Sequence, residues 1–205
     1  ESRKDFINLL QTWRPDVVAF SGSYLANFPE IIDLAKETRQ LLPGCYVLVG
    51  GHSASFIPEE LLHHSEGAID CILRGEGETS IVQLLETIAG DRKDVCQVPG
   101  AFTLDGTGPA PTHLESLDHF FPARDLLRKR NKYFVGILDP CASVEFSRGC
   151  PWECSFCSAW TFYGRKYRMV SPEKAVEDIA QIREEGIFIV DDVAFTREEH
   201  GLAIG

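Results

Sequence analysis

Asp16-Val17-Val18-Ala19-Phe20-Ser21-Gly22-Ser23-Tyr24 is an apolar run that empties into small polar residues. The first part reads as a buried strand, and Ser-Gly-Ser reads as the loop at its carboxyl end. The same pattern returns twice: Tyr46 to Val49 ends in Gly50-Gly51-His52-Ser53, and Ile69 to Leu73 ends in Gly75-Glu76-Gly77-Glu78. Pro29 fits the first turn of a helix in which Ile31, Leu34, Ala35, Thr38, Leu41 and Leu42 share a face. A further helix is expected from about Thr79 to Ala89, with Val82, Leu85 and Ile88 or Ala89 inward. Strands alternating with amphipathic helices predict a parallel sheet with crossover helices. The carboxyl-end loops then lie along one rim, where such sheets bind cofactors.

The rest of the chain bounds this reading. Its 205 residues are 44% hydrophobic and 25% charged, an ordinary globular composition that excludes disordered and collagen-like classes. The net charge of −11 argues against a phosphate-neutralising surface, so no nucleic-acid partner is expected. The lone Met is Met169, so the chain does not open on an initiator and is expected to be incomplete at both ends. The longest stretch free of Asp, Glu, Lys and Arg, Gln40 to Pro58, contains prolines, glycines and His52, which excludes a membrane-spanning helix. No signal-peptide pattern opens the chain, and the seven cysteines are odd in number and unevenly placed. Those features fit a reduced, cytoplasmic location better than a disulfide framework.

After Gly100 the pattern loosens into prolines and Asp105-Gly106-Thr107-Gly108, read as a linker with a short hairpin. A second βαβ series is expected from Ala142. Ser143 to Ser147 alternates like a strand, and Ser171-Pro172 caps a helix with Val176, Ile179 and Ile182 inward. Gly186 ends that helix before the strand Ile187 to Val190. The series stops after about two units, short of the eight that close a barrel.

Between the expected strand and that helix stands Cys150-Pro151-Trp152-Glu153-Cys154-Ser155-Phe156-Cys157. Three thiols in one loop point to an iron–sulfur cluster or to zinc. A closed zinc site needs a fourth ligand, and the candidates are Cys141 or the distant Cys45, Cys71 and Cys96. Three ligands leave one iron of a four-iron cluster open, as substrate binding requires.

This Cys-x-x-x-Cys-x-aromatic-Cys loop resembles the signature of radical S-adenosylmethionine enzymes. The resemblance implies that Cys150, Cys154 and Cys157 hold a [4Fe–4S] cluster whose open iron chelates S-adenosylmethionine. It also implies a 5′-deoxyadenosyl radical as the product of one-electron cleavage, and Phe156 near the adenine; a simple core aromatic is the bland alternative for Phe156. The first domain is similar to the cobalamin-binding domains of the B12-dependent members. In those the nucleotide tail threads against glycine backbone, which implies contacts at Ser21, Ser23, Gly50 and Gly51. No Asp-x-His-x-x-Gly segment is present to give cobalt an axial His. The expected fold is α/β: a Rossmann-like, flavodoxin-like cobalamin-binding domain over 1–98, the linker over 99–139, and the first βα units of a radical S-adenosylmethionine partial TIM barrel over 140–205. Trp13 to Phe20, Val49 to Phe56, Asp139 to Cys154 and Ala159 to Gly164 resemble the hopanoid-methylating members of that family. That likeness implies a C-methyltransferase using methylcobalamin, a hopanoid lipid substrate with an unactivated carbon, and a reductant such as flavodoxin or ferredoxin.

Other readings stand beside these. The rivals are a B12-dependent radical enzyme with another substrate or a cyclisation outcome, and a non-catalytic zinc or iron–sulfur module. His52 and Ser53 follow the Gly-Gly turn and can touch cobalamin, or His52 is a loop histidine bonded to backbone. His63 and His64 suit an exposed helix end. Gly75-Glu76-Gly77-Glu78 is rejected as a dinucleotide loop because its carboxylates repel a pyrophosphate. Asp191 and Asp192 end a barrel strand, either near S-adenosylmethionine or in an ion pair with Arg168 or Arg148. Leu126 to Lys132 is a basic run, a solvated face or a contact with an anionic membrane surface.

Overall fold

The computed structural model describes residues 3–205. The chain divides into two compact units, Glu1–His113 and Leu114–Gly205, and the division falls inside the segment read as a linker.

In the first unit, β1 (Val17–Ser21), β2 (Tyr46–Gly50) and β3 (Cys71–Leu73) pair in parallel in that order, and β4 (Ala101–Phe102) adds antiparallel to β3. Register places Ser21 beside Gly50 and Gly50 beside Leu73, so the three strands end on one line. The helices are α1 (Arg3–Trp13), α2 (Phe28–Leu41), α3 (His52–Phe56), α4 (Pro58–Ser65) and α5 (Ile81–Ala89). Successive strand residues face opposite sides, and in β2 both sides are buried. Val47 and Val49 pack with Phe28, Ile31, Ala35 and Leu62, while Tyr46 and Leu48 pack with Leu84, Ile88 and Val98. α1 closes the β1 side through Leu10, which meets Val18 and Leu42.

Three sequence expectations change here. Leu41 is exposed while Leu42 is buried, because α2 ends at Leu41 and the backbone at Leu42 turns to φ −133°. The inward residues of α5 are Leu84 and Ile88; Val82 and Leu85 are exposed, because a 3₁₀ turn over Gly77–Thr79 precedes α5 and sets its phase. The strand expected from Ile69 is shorter, since Asp70 pairs with β2 partly through its side chain: its carboxylate accepts from Val47 N at 2.7 Å and from Arg39 at 2.5 Å.

The second unit contains two small open sheets. β5 (Cys141–Val144) pairs in parallel with β8 (Gly186–Ile189), and β6 (Ser147–Arg148) pairs antiparallel with β7 (Arg168–Met169). The helices are α6 (Ala159–Phe162), α7 (Pro172–Ile179) and α8 (Glu198–Ile204). The single strand expected over Ser143 to Ser147 is therefore two strands in different sheets, broken at Glu145-Phe146. Ser171 caps α7, accepting from Lys174 N, but the helix stops at Ile179 rather than Gly186. Val176 is exposed, because α7 turns Ala175 and Asp178 inward and Asp178 meets Arg124. Ile179 and Ile182 do pack on the core of Val144, Phe146 and Ala175. Consecutive residues Ile187, Phe188 and Ile189 are all exposed, so neither face of β8 is covered. No barrel is closed, and no described helix is long and apolar enough to cross a membrane.

Candidate cofactor sites

In the first unit the aligned strand ends carry three loops that bind one another. Gly22 N donates to Gly50 O at 2.6 Å, Ala54 N to Gly22 O at 3.0 Å, and Ser53 Oγ to Ser23 O at 2.8 Å. Ser55 Oγ donates to Gly51 O at 2.9 Å and accepts from Gly75 N at 3.0 Å, which ties the second loop to the third. Ser21 Oγ and Ser23 Oγ lie 3.2 Å apart. His52 begins α3 instead of lying in a loop, and its ring centroid lies 5.3 Å from that of Phe56, tilted by 60°. His63 and His64 occupy the last turn of α4 and are exposed, as expected of an exposed helix end.

The two glycines of the turn have different tasks. Gly51 has φ +111°, and a Cβ there would stand 3.0 Å from Gly22 C and 3.1 Å from Ser23 N, so its missing side chain serves loop packing. At Gly50 a Cβ would meet only Leu73 O, at 3.4 Å, so this position leaves backbone open to an approaching group. Ser21 is exposed and Ser23, Gly50, His52 and Ser53 are half-buried. That rim, with hydroxyls and bare backbone but no crowding side chain at Gly50, fits a cofactor laid along the strand ends. Sequence reasoning missed Ser55, and it missed the buried Glu76, whose Oε2 lies 3.2 Å from His113 Nδ1. Residues 37 positions apart carry no local signal of such a pair.

In the second unit the cysteine loop leaves β6 through Gly149, whose φ is +89° and where a Cβ would overlap Lys166 O. Carboxylates from the end of β8 hold its base. Asp191 accepts from Phe146 N at 2.8 Å and Ser147 Oγ at 2.6 Å, and Asp192 accepts from Gly149 N at 3.1 Å. Burial pushes the Asp191 carboxyl above its ordinary value, opposed by the bond from Ser147. The Asp pair thus reaches the strand that leads into the cysteines, which spacing along the chain did not reveal. Cys154 O accepts from Cys157 N at 3.0 Å and from Trp160 Nε1 at 3.1 Å, while Arg165 covers the Trp160 ring and pairs with Glu153 at 2.8 Å.

Cys150 is buried, Cys157 half-buried and Cys154 exposed. The soft thiolate set suits iron–sulfur chemistry, but the sulfurs do not converge: among the described residues no three His, Cys, Asp or Glu side chains form a group able to hold a metal ion. Phe156 is 91% exposed and is not among the residues packed in the core of this unit. Cys45, Cys71 and Cys141 are buried. Burial pushes the Cys71 thiol up to about 12, against the thiolate character a ligand needs.

Residues 1–85 match the B12-binding domain family. Over 205 residues, all of this chain, the sequence is 60% identical to hopanoid C-3 methylase of Methylococcus capsulatus, covering 40% of that protein. It is 32% identical to the anaerobic magnesium-protoporphyrin IX monomethyl ester cyclase of Cereibacter sphaeroides, across 93% of this chain and 32% of the cyclase. The chain therefore spans well under half the length of these relatives. The fold resembles that of the radical S-adenosylmethionine methyltransferase TsrM of Kitasatospora setae, solved with tryptophan and an S-adenosylmethionine analogue, with a TM-score of 0.71 at 17% identity over 98% of this chain and 42% of that one. Residues 1–85 are thus similar to the B12-binding domain family, and the chain is similar to hopanoid C-3 methylase along its whole length.

Proposed function

We propose that this chain supplies the cobalamin-binding unit and the cluster-bearing loop of a radical S-adenosylmethionine C-methyltransferase whose substrate is a hopanoid lipid. The observation that carries the reading is the 60% identity spread over all 205 residues, cofactor rim and cysteine loop included. In this reading Ser21, Ser23, Gly50, His52 and Ser53 receive methylcobalamin, and Gly51 holds the loops of that rim together. Cys150, Cys154 and Cys157 ligate a [4Fe–4S] cluster, and the exposed Phe156 ring packs on S-adenosylmethionine. Bound together, these groups supply a carbon radical able to take hydrogen from an unactivated carbon, and a methyl group to replace it.

The protein's own tasks are positional. Ser53 and Ser55 fix the rim through their bonds to the first and third loops. Asp191 and Asp192 hold the base of the cysteine loop that would carry the cluster. A reductant such as flavodoxin or ferredoxin delivers the electron, and a reducing cytoplasm suits seven free thiols.

Anaerobic reconstitution with iron and sulfide, followed by metal and labile-sulfide analysis, tests the loop. About four irons per chain, lost in Cys154→Ala, is the expected result. Bound zinc without sulfide would end the radical reading. Production of a methylated hopanoid by the intact enzyme in cells tests the substrate. The 32% identity to a tetrapyrrole cyclase supports a second reading, in which the same cofactors serve another substrate; an unmethylated hopanoid pool beside a full cluster and bound cobalamin would favour it.

A further inference from the structure

Leu126 to Ile137 reads Leu-Leu-Arg-Lys-Arg-Asn-Lys-Tyr-Phe-Val-Gly-Ile, with four cations and no carboxylate between Asp125 and Asp139 in a chain of net charge −11. Leu126, Leu127, Tyr133, Phe134 and Val135 are all exposed, and Ile137 is 99% exposed. Ile137 stands at the tip of a turn closed by Val135 N donating to Leu138 O at 2.9 Å and Leu138 N donating to Val135 O at 3.0 Å.

The segment is fastened from beneath. Arg124 holds Asp178 through two bonds of 2.6 Å and donates to Ser143 O at 2.9 Å, while Arg130 grips Glu184 at 2.6 and 2.7 Å. Tyr133 O accepts from Cys141 N at 2.8 Å. The backbone is thus anchored while its apolar side chains face outward. Contiguous exposed apolar surface of this kind marks an interaction site. Protein interfaces are depleted of lysine at their centres, whereas aliphatic and aromatic side chains interleaved with Lys and Arg match the headgroup boundary of an anionic bilayer.

We propose that residues 126–137 form a peripheral membrane-binding surface for anionic phospholipid, with Ile137 and Phe134 entering the acyl boundary and Arg128, Lys129 and Lys132 meeting headgroup phosphates. This surface does not depend on the identity of the substrate, so the two readings can fail separately.

Co-sedimentation of the 205-residue chain with vesicles tests it. Vesicles containing phosphatidylglycerol should retain the protein at least about tenfold better than pure phosphatidylcholine, and about 0.5 M salt should remove most of that preference. Ile137→Asp should weaken partition by about tenfold with an unchanged melting temperature, because the side chain has nothing to lose in the free protein. Arg128→Glu with Lys132→Glu should abolish the salt-sensitive part. Equal retention by neutral vesicles, retention by neither, or an Ile137→Asp variant that binds like the parent overturns the proposal. Protection of Tyr133 to Ile137 from hydrogen exchange without vesicles, whether by a second copy or by other parts of a longer protein, overturns it too.

Discussion

Gly50 and Gly51 are neighbours of one residue type, and their environments assign them opposite roles. Gly51→Ala places a Cβ against the backbone of Gly22 and Ser23 at a positive φ, so it should cost about 1–3 kcal/mol in thermal denaturation. Gly50→Ala meets only Leu73 O at 3.4 Å and should change stability by less than about 1 kcal/mol. It should nonetheless weaken cobalamin binding in an absorbance titration; unchanged affinity would remove Gly50 from the site. The Gly-Gly pair was legible as a rim element in the sequence, but which glycine is pressed against backbone and which stays uncrowded depends on the loop after β1. Ser55 belongs to the same class of hidden residue. Its hydroxyl joins two loops, and Ser55→Ala should cost about 1 kcal/mol while lowering cobalamin affinity.

Elements in the second unit owe their placement to charges paired over long sequence distances, which is why helical periodicity misjudged α7. The apolar spacing selected Val176 as inward, yet the buried Arg124 draws Asp178 into the core and turns Val176 out. Removing one partner strands a buried charge, so Arg124→Ala should cost about 3–5 kcal/mol, and Arg124→Met with Asp178→Leu should recover most of it. Glu184 gives a separate, pH-dependent test. Its bidentate bonds from Arg130 are the chief cause lowering its carboxyl from 4.5 to about 2. A carboxyl lowered in the folded state binds its proton more readily when unfolded, so its contribution is complete above about pH 5 and fades as pH falls toward 2. Denaturation of Glu184→Gln should show a deficit against the parent at pH 6 that narrows steadily on acidification. A deficit independent of pH would assign the effect to packing instead.

At the scale of the molecule the two units are unequal in how completely they bury their sheets. β2 is covered on both faces by two separate clusters, whereas β8 leaves Ile187, Phe188 and Ile189 exposed in a two-stranded sheet with a core centred on Val144, Phe146 and Ala175. The parallel sheet was legible in the sequence because each of its three parallel strands is announced by an apolar run and a Gly or Ser loop, whereas the two-residue β4 has no such signal. The second series was half legible, since β6 and β7 are two-residue strands without a periodic signal. Burial of this kind sets independent stability, so residues 1–113 expressed alone should unfold cooperatively and retain cobalamin. Residues 114–205 alone should self-associate through the uncovered edge and faces of β8, because an exposed apolar strand is a template for pairing. Phe188→Lys with Ile189→Lys should reduce that association, measured by light scattering. A monomeric, cooperatively folding 114–205 would show that the small core is sufficient and that β8 is protected in a way its exposure does not convey.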